Sequence, residues 1–188
     1  MSTTNEGCTV KDLAKLAQMT VEQMQVVLRD HTSPSTISPL KRRFTYAVAL
    51  EIEVARQLSD NSGVPISEAL RLGVYTMAVQ GYVNGASANT SGDFWMAVVA
   101  SRNTWGKEPR GSWPVTGFGP KEYWAELHFS GSLGAIAGEI SEWIGRDQIN
   151  HPDSDPARIV MANVSAADRR LRKRATELGI KVVGNEFA

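Results

Sequence analysis

The sequence predicts an α+β fold in two parts, an all-helical N-terminal part and a small mixed part behind it. Three observations lead there. Residues 9–28 place apolar side chains at helical spacing, interrupted once by a turn. Residues 93–101 and 122–129 change to runs rich in apolar and β-branched residues, as strands require. Between them, residues 81–92 are small and polar and read as a linker. The expected divisions are a flexible N-terminus at 1–8, a helical domain at 9–84, a linker at 85–92 and an α+β domain at 93–188.

The first helix takes Leu13, Ala14, Leu16 and Ala17 as its apolar face. Thr20 opens a second, and Gln23 completes a Thr-x-x-Gln capping box in which each side chain satisfies an orphan backbone donor. Val21, Met24, Val27 and Leu28 continue the stripe. Gln18 stands at the turn position where glycine is usual, because φ there is positive. Short helix, tight turn, capped short helix is the helix-turn-helix pattern, whose second helix can lie in the DNA major groove. The same pattern also serves in purely structural helical cores. Residues 31–40 are rich in Ser, Thr and Pro and read as a loop leading to Lys41-Arg42-Arg43. Thr45 is the expected N-cap of a helix over 46–59, with Ala49, Ile52, Val54 and Leu58 available for burial. Phe44 and Tyr46 are expected beneath the basic loop. Residues 60–63 break that helix, and Pro65 opens a fourth that runs into Gly81.

This order of parts resembles the MerR-type winged helix-turn-helix domain. Arg42-Arg43-Phe44-Thr45 matches the close of that family's basic wing. Residues 63–70, Gly-Val-Pro-Ile-Ser-Glu-Ala-Leu, match loosely the stretch that begins its fourth helix. The resemblance covers about residues 9–80 and implies double-stranded DNA binding through the helix-turn-helix and the wing. The chain departs from the family at Gln25, Val26 and Val27, where a basic and aromatic pair is usual, and at Glu22 and Gln23, where basic or hydroxyl residues are common. A long dimerisation helix is replaced by Gly81 and small polar residues, and no cysteine cluster suits metal sensing. Fold and DNA binding carry over; metal and redox sensing do not.

Composition is that of a globular protein: 188 residues, 42% hydrophobic, 21% charged, formal net charge zero. A neutral total does not favour DNA binding, since phosphate neutralisation supplies most non-specific affinity. Distribution substitutes for totals here. Lys11, Lys15, Arg29, Lys41, Arg42 and Arg43 cluster on the proposed reading head, while Glu51, Glu53, Asp60 and Glu68 fall on supporting helices. The expected DNA contacts are Thr20, Glu22, Gln23, Gln25, Arg29, Lys41, Arg42 and Arg43. Gln can read adenine and Glu can accept from cytosine, although Gln23 is equally accounted for by the cap. Arg29 would reach a phosphate, and Lys41, Arg42 and Arg43 the backbone or minor groove. Modest affinity for one reading head implies dimerisation, as a homodimer, or a partner. No apolar run approaches a membrane span, no signal peptide pattern opens the chain, and its single cysteine, Cys8, suits a reducing compartment. The expectation is a cytoplasmic protein with no metal and no cofactor.

In the second half, residues 102–120 form a long Gly- and Pro-rich loop with Trp105, Trp113 and Phe118 as anchors. Strand 122–129 alternates Tyr123, Ala125, Leu127 and Phe129 against Trp124, Glu126 and His128. A helix capped near Ser132 runs to about Ile144, with Leu133, Ile136, Ile140, Trp143 and Ile144 inward. After a loop at 149–156 come a strand at 158–164, a helix from Ser165 to Leu178 closed by Gly179, and a strand at 180–183. Trp95, Trp124 and Trp143 read as core or interface residues. Residues 169–174, Arg-Arg-Leu-Arg-Lys-Arg, are the strongest basic run. Their helix buries Leu171, Ala175 and Leu178, leaving the charges as a solvated face or a second nucleic-acid contact. His31, His128 and His151 have no zinc-type spacing. Residues 130–134 lack the Lys-Ser/Thr ending of a phosphate loop. No nucleophile, base and orienting group can be assembled, so no enzyme is expected. The sequence thus predicts a bacterial- or phage-type transcriptional regulator that binds specific duplex DNA. Two rivals stay open: an interaction or inhibitor protein that binds a partner protein through 93–188, and a DNA-architectural or packaging protein.

Overall fold

The computed structural model describes residues 7–31, 43–63, 65–75, 77–89, 92–102, 124–150 and 156–187. The elements follow in the order α1 (Val10–Leu16), α2 (Val21–His31), α3 (Tyr46–Ser62), α4 (Ile66–Tyr75), α5 (Ala78–Val83), β1 (Phe94–Arg102), β2 (Trp124–Ser132), α6 (Leu133–Asn150), β3 (Pro156–Asn163), α7 (Val164–Glu177), β4 (Val182–Val183) and β5 (Glu186–Phe187). The molecule is therefore mixed helix and sheet, as expected.

Local chemistry sets the helix ends. Thr9 and Asp12 form a capping box ahead of α1, with the Asp12 amide 3.2 Å from Thr9 Oγ1 and the Thr9 amide 3.0 Å from the Asp12 carboxylate. Thr45 caps α3 by accepting from the Val48 amide, and Gly63 ends it at φ +66°, a conformation glycine adopts without strain. The fourth helix does not run on to Gly81. Met77 takes φ +50° and divides it into α4 and α5. Residues 86–89, within the expected linker, form a short 3-10 turn, and Ala86 packs against the core.

The main sheet has the order β2-β1-β3, antiparallel throughout, with Ala97 opposite Phe129 on one side and Met161 on the other. β1 is central and covered on both faces, which is why its sequence is continuously apolar. Phe94, Met96 and Val98 join the large core, and Ala97 and Val99 join a small second one with Ile136 and Ile140 of α6. The large core runs from Val10, Leu13 and Leu16 of α1 through Met24 and Leu28 of α2 and Leu50, Ile52 and Val54 of α3. It continues to Val160 and Ala162 of β3 and to Leu171 and Ala175 of α7. The helices of the N-terminal half and one face of the sheet thus share one interior. Each large apolar side chain there contributes about 1.5–3 kcal/mol by its burial.

Several local expectations need correction. The N-cap of α7 is Asn163, whose side chain accepts from the Ala166 amide at 2.8 Å. Ser165 instead accepts from the Phe94 amide at 2.9 Å and ties α7 to β1. Leu178 is 42% exposed because it lies one residue past the last helical position, off the buried stripe. Leu133 is 46% exposed because α6 packs on β1 and β2 and leaves an open apolar groove of about 350 Å³ beside β3. Leu133, Ile144, Ile159 and Met161 are among its lining residues. The chain also adds a hairpin absent from the expectation, β4 paired with β5. Gly184 makes its two-residue turn at φ +58°. The hairpin buries Phe187 edge-on to Tyr46, with ring centroids 5.5 Å apart. Tyr46 thus packs under this hairpin; the loop at 31–40 expected above it lies, apart from His31, outside the described residues.

Candidate functional site

The turn between α1 and α2 is closed by two backbone hydrogen bonds. The Met19 amide donates to the Ala14 carbonyl at 2.9 Å and the Gln18 amide to the Lys15 carbonyl at 3.1 Å. These are the paired closing bonds of a Schellman end. Gln18 occupies the left-handed position at φ +56°, so the conformation usually given to glycine is held here by glutamine. Ala14, where the helices meet, is buried.

The capping box of α2 forms in both directions. The Gln23 amide donates to Thr20 Oγ1 at 3.2 Å, and the Thr20 amide donates to Gln23 Oε1 at 2.9 Å. The amide oxygen of Gln23 is therefore engaged by the cap. Glu22 lies in the first turn of α2, where its own amide and the Thr20 side chain hold its carboxyl below the usual carboxylate range.

Burial divides α2 into two faces. Met24, Val27 and Leu28 are buried, and Val21 and Gln25 are half-buried. Thr20, Glu22, Gln23, Val26 and Arg29 are exposed. Val26, at 48% exposure, was missed as a candidate by sequence reasoning. Its signal is that it breaks the apolar stripe, and an apolar group on a reading face can meet a thymine methyl.

Lys11 and Lys15 are exposed on α1, one turn apart. Arg43 is exposed and is brought beside the start of α1 by a two-bond bridge. In it the Cys8 amide donates to the Phe44 carbonyl at 3.0 Å and the Phe44 amide returns to Cys8 at 2.9 Å. Gly7, at φ +142°, permits this approach, because a Cβ there would sit 3.0 Å from Arg43 Cβ and 3.1 Å from the Phe44 carbonyl. Burial first, and Asp12 second, push the Cys8 thiol up to about 12, so it is a packing residue and not a reactive thiolate. Lys41 and Arg42, and with them the expected wing, lie outside the described residues.

The basic run on α7 is partly solvated, but its four arginines are each paired with a carboxylate. Arg169 makes a bidentate pair with Asp93, both contacts at 2.8 Å. Arg172 pairs with Asp168 at 2.9 Å, lies 4.9 Å from the centre of the Tyr46 ring, and donates to the Gly184 carbonyl. Tyr46 in turn donates to Asp168 at 2.6 Å. Arg170 and Arg174 converge on Glu53 of α3, at 2.9 and 2.6 Å, and Arg56 reaches the same carboxylate at 3.3 Å. Glu53 is 1% exposed. Burial alone raises the proton affinity of its carboxyl, but Arg174, Arg170 and Arg56 outweigh burial and hold it below the usual range. Lys173 and Arg169, with side chains 79% and 61% exposed, are the mainly solvated members of the run.

Among the described residues no three His, Cys, Asp or Glu side chains are grouped as a metal site requires, and no helix is long and apolar enough to cross a membrane. No protein-family model, curated protein or solved structure matches the chain.

Proposed function

We propose that this chain is a regulator that binds specific double-stranded DNA, reading the major groove with α2 and gripping the backbone with the basic segment at Lys41, Arg42 and Arg43. One observation supports the reading above the rest: α2 is held by a Schellman turn and a reciprocal cap, yet one whole face of it is open. Thr20, Glu22, Val26 and Arg29 line that face. A fixed entry angle and an uncovered side are what presentation of a helix to a groove requires. Glu22 suits a cytosine amino group, Val26 a thymine methyl and Arg29 a phosphate. Half-buried Gln25 would act at the edge of the contact, and Gln23 chiefly through the cap. A single reading head covers one half-site, so the reading includes a homodimer on a two-fold site.

The test is a selection of bound sequences from a genomic library with the full chain. Affinity for the selected site and for random duplex is then measured across salt concentration. The expected result is a clear ratio over random duplex and a salt slope that falls by about two when Arg42 and Arg43 both become Ala. Glu22→Ala should relax preference at one base position and leave the salt slope alone. Equal affinity for every duplex would replace the regulator with an architectural role. No duplex binding at all would leave an interaction protein acting through residues 93–188.

A further inference from the structure

We propose that Arg174 is the positioning residue of the helix-turn-helix, fixing the reading helix against the C-terminal half of the chain; the inference rests on the DNA-reading assignment of α2. The Schellman turn at the end of α1 accounts for the carbonyls of Leu13, Ala14 and Lys15, which accept from Ala17, Met19 and Gln18. The Leu16 carbonyl is left over by the turn. It accepts from Arg174 Nη1 at 2.8 Å, across 158 residues of sequence. The same Nη1 donates to Glu53 Oε2 at 2.6 Å, and Nη2 donates to Glu53 Oε1 at 3.2 Å. One rigid guanidinium therefore joins three helices: it leaves α7, is locked flat by a buried carboxylate of α3, and caps α1 at the residue before the reading turn.

Chemistry explains the choice of arginine. Its planar fork presents parallel donors to a carboxylate and still directs another donor to a carbonyl. A lysine ammonium, a single atom, cannot hold all three acceptors in that arrangement. Arg170 supplies the contrast. It binds the same Glu53 at 2.9 Å from the same helix, through Nε, without reaching the end of α1. If these arginines merely neutralise Glu53, the two positions are equivalent. If Arg174 sets the turn, they are not.

The experiment compares full-length Arg174→Lys with Arg170→Lys. Backbone hydrogen exchange is followed at Gln18 and Met19 and along α2, and the ratio of affinity for the selected site over random duplex is measured. In Arg174→Lys, exchange at Gln18 and Met19 should accelerate about tenfold and the ratio should fall about tenfold, with non-specific affinity unchanged. Arg170→Lys should leave both near wild type. Equal effects at the two positions, or unchanged exchange at the turn, overturn the proposal. Faster exchange in Arg174→Lys alone, in a chain that never prefers any duplex, keeps the positioning role and removes the DNA reading. Unchanged affinity ratio with faster exchange removes the functional link. Should Arg174→Lys fail to fold, the wild-type chain still decides. Rotation of the Arg174 guanidinium should be slow enough to resolve its Nη groups by nitrogen NMR, and a freely averaging guanidinium overturns the proposal.

Discussion

Two helices of this molecule carry conspicuous polar faces in sequence, and the fold treats them in opposite ways. α7 holds five basic residues within six positions, and the fold turns four of them onto Asp93, Asp168 and Glu53. α2 holds a mixed and nearly neutral set, and its face stays open. Density of charge is therefore a poor guide to where a polyanion could dock. What decides is whether carboxylates from other elements are brought within reach. Glu53, placed by the sequence on a supporting helix, becomes the acceptor for three guanidiniums. The cost of taking its carboxylate out of water is offset because every partner is a charge-assisted hydrogen bond.

The comparison can be broken most severely at Glu53. Glu53→Ala leaves Arg170 and Arg174 at a buried junction without their counter-ion, and the expected loss is about 3–5 kcal/mol in urea unfolding at neutral pH. The same carboxylate makes the fold acid-sensitive. Its proton affinity is lowered in the folded state from an ordinary value of 4.5, so its contribution is complete above that pH and fades as pH falls further. Melting temperature should drop as pH falls below about 4.5 in the wild type, and more shallowly in Glu53→Gln.

Tyr46→Phe comes next. It removes a donor from buried Asp168 and should cost about 1–3 kcal/mol. Burial first, then Asp168, raise the Tyr46 phenol above its ordinary value of 10.0. The folded state therefore keeps a proton that the unfolded state releases, and stability declines as pH rises past that value. Alkaline unfolding monitored by far-ultraviolet dichroism should be delayed in Tyr46→Phe relative to its own neutral-pH stability.

On the open side the effects are smaller. Thr20→Ala loses one arm of the reciprocal cap and should cost about 1 kcal/mol. Smallest of all, Glu22→Ala and Lys173→Ala should each leave the unfolding midpoint close to wild type in the same denaturation experiment. A large stability loss at Glu22 would mean that α2 is a structural helix after all.

The two helices also show how far the sequence could be read. Thr20 with Gln23 and Thr45 announce their helices because a cap needs only a hydroxyl or amide a fixed number of residues from a free amide. Gly63 announces an end for an equally local reason. The apolar run of β1 was legible as a strand because both of its faces are buried. Met77 was not legible as a break, because nothing about methionine favours a positive φ. Nor was Phe187 legible as core, since its burial depends on Tyr46, distant in sequence, and on a two-residue hairpin at Gly184. The open face of α2 was readable in outline through the stripe of Met24, Val27 and Leu28, whereas Val26 required the stripe's exact orientation.

By itself the sequence determined the elements whose causes lie within about four residues: caps, apolar stripes, the β1 strand and the α+β class. Only the tertiary structure decided which charges meet, that Arg174 closes the carbonyl of Leu16, and that the helical half and the sheet enclose a common interior. The reason is range. Capping and periodicity act over one or two turns of backbone, while an ion pair between positions 53 and 174 exists only after the intervening chain has folded and excluded water from between them.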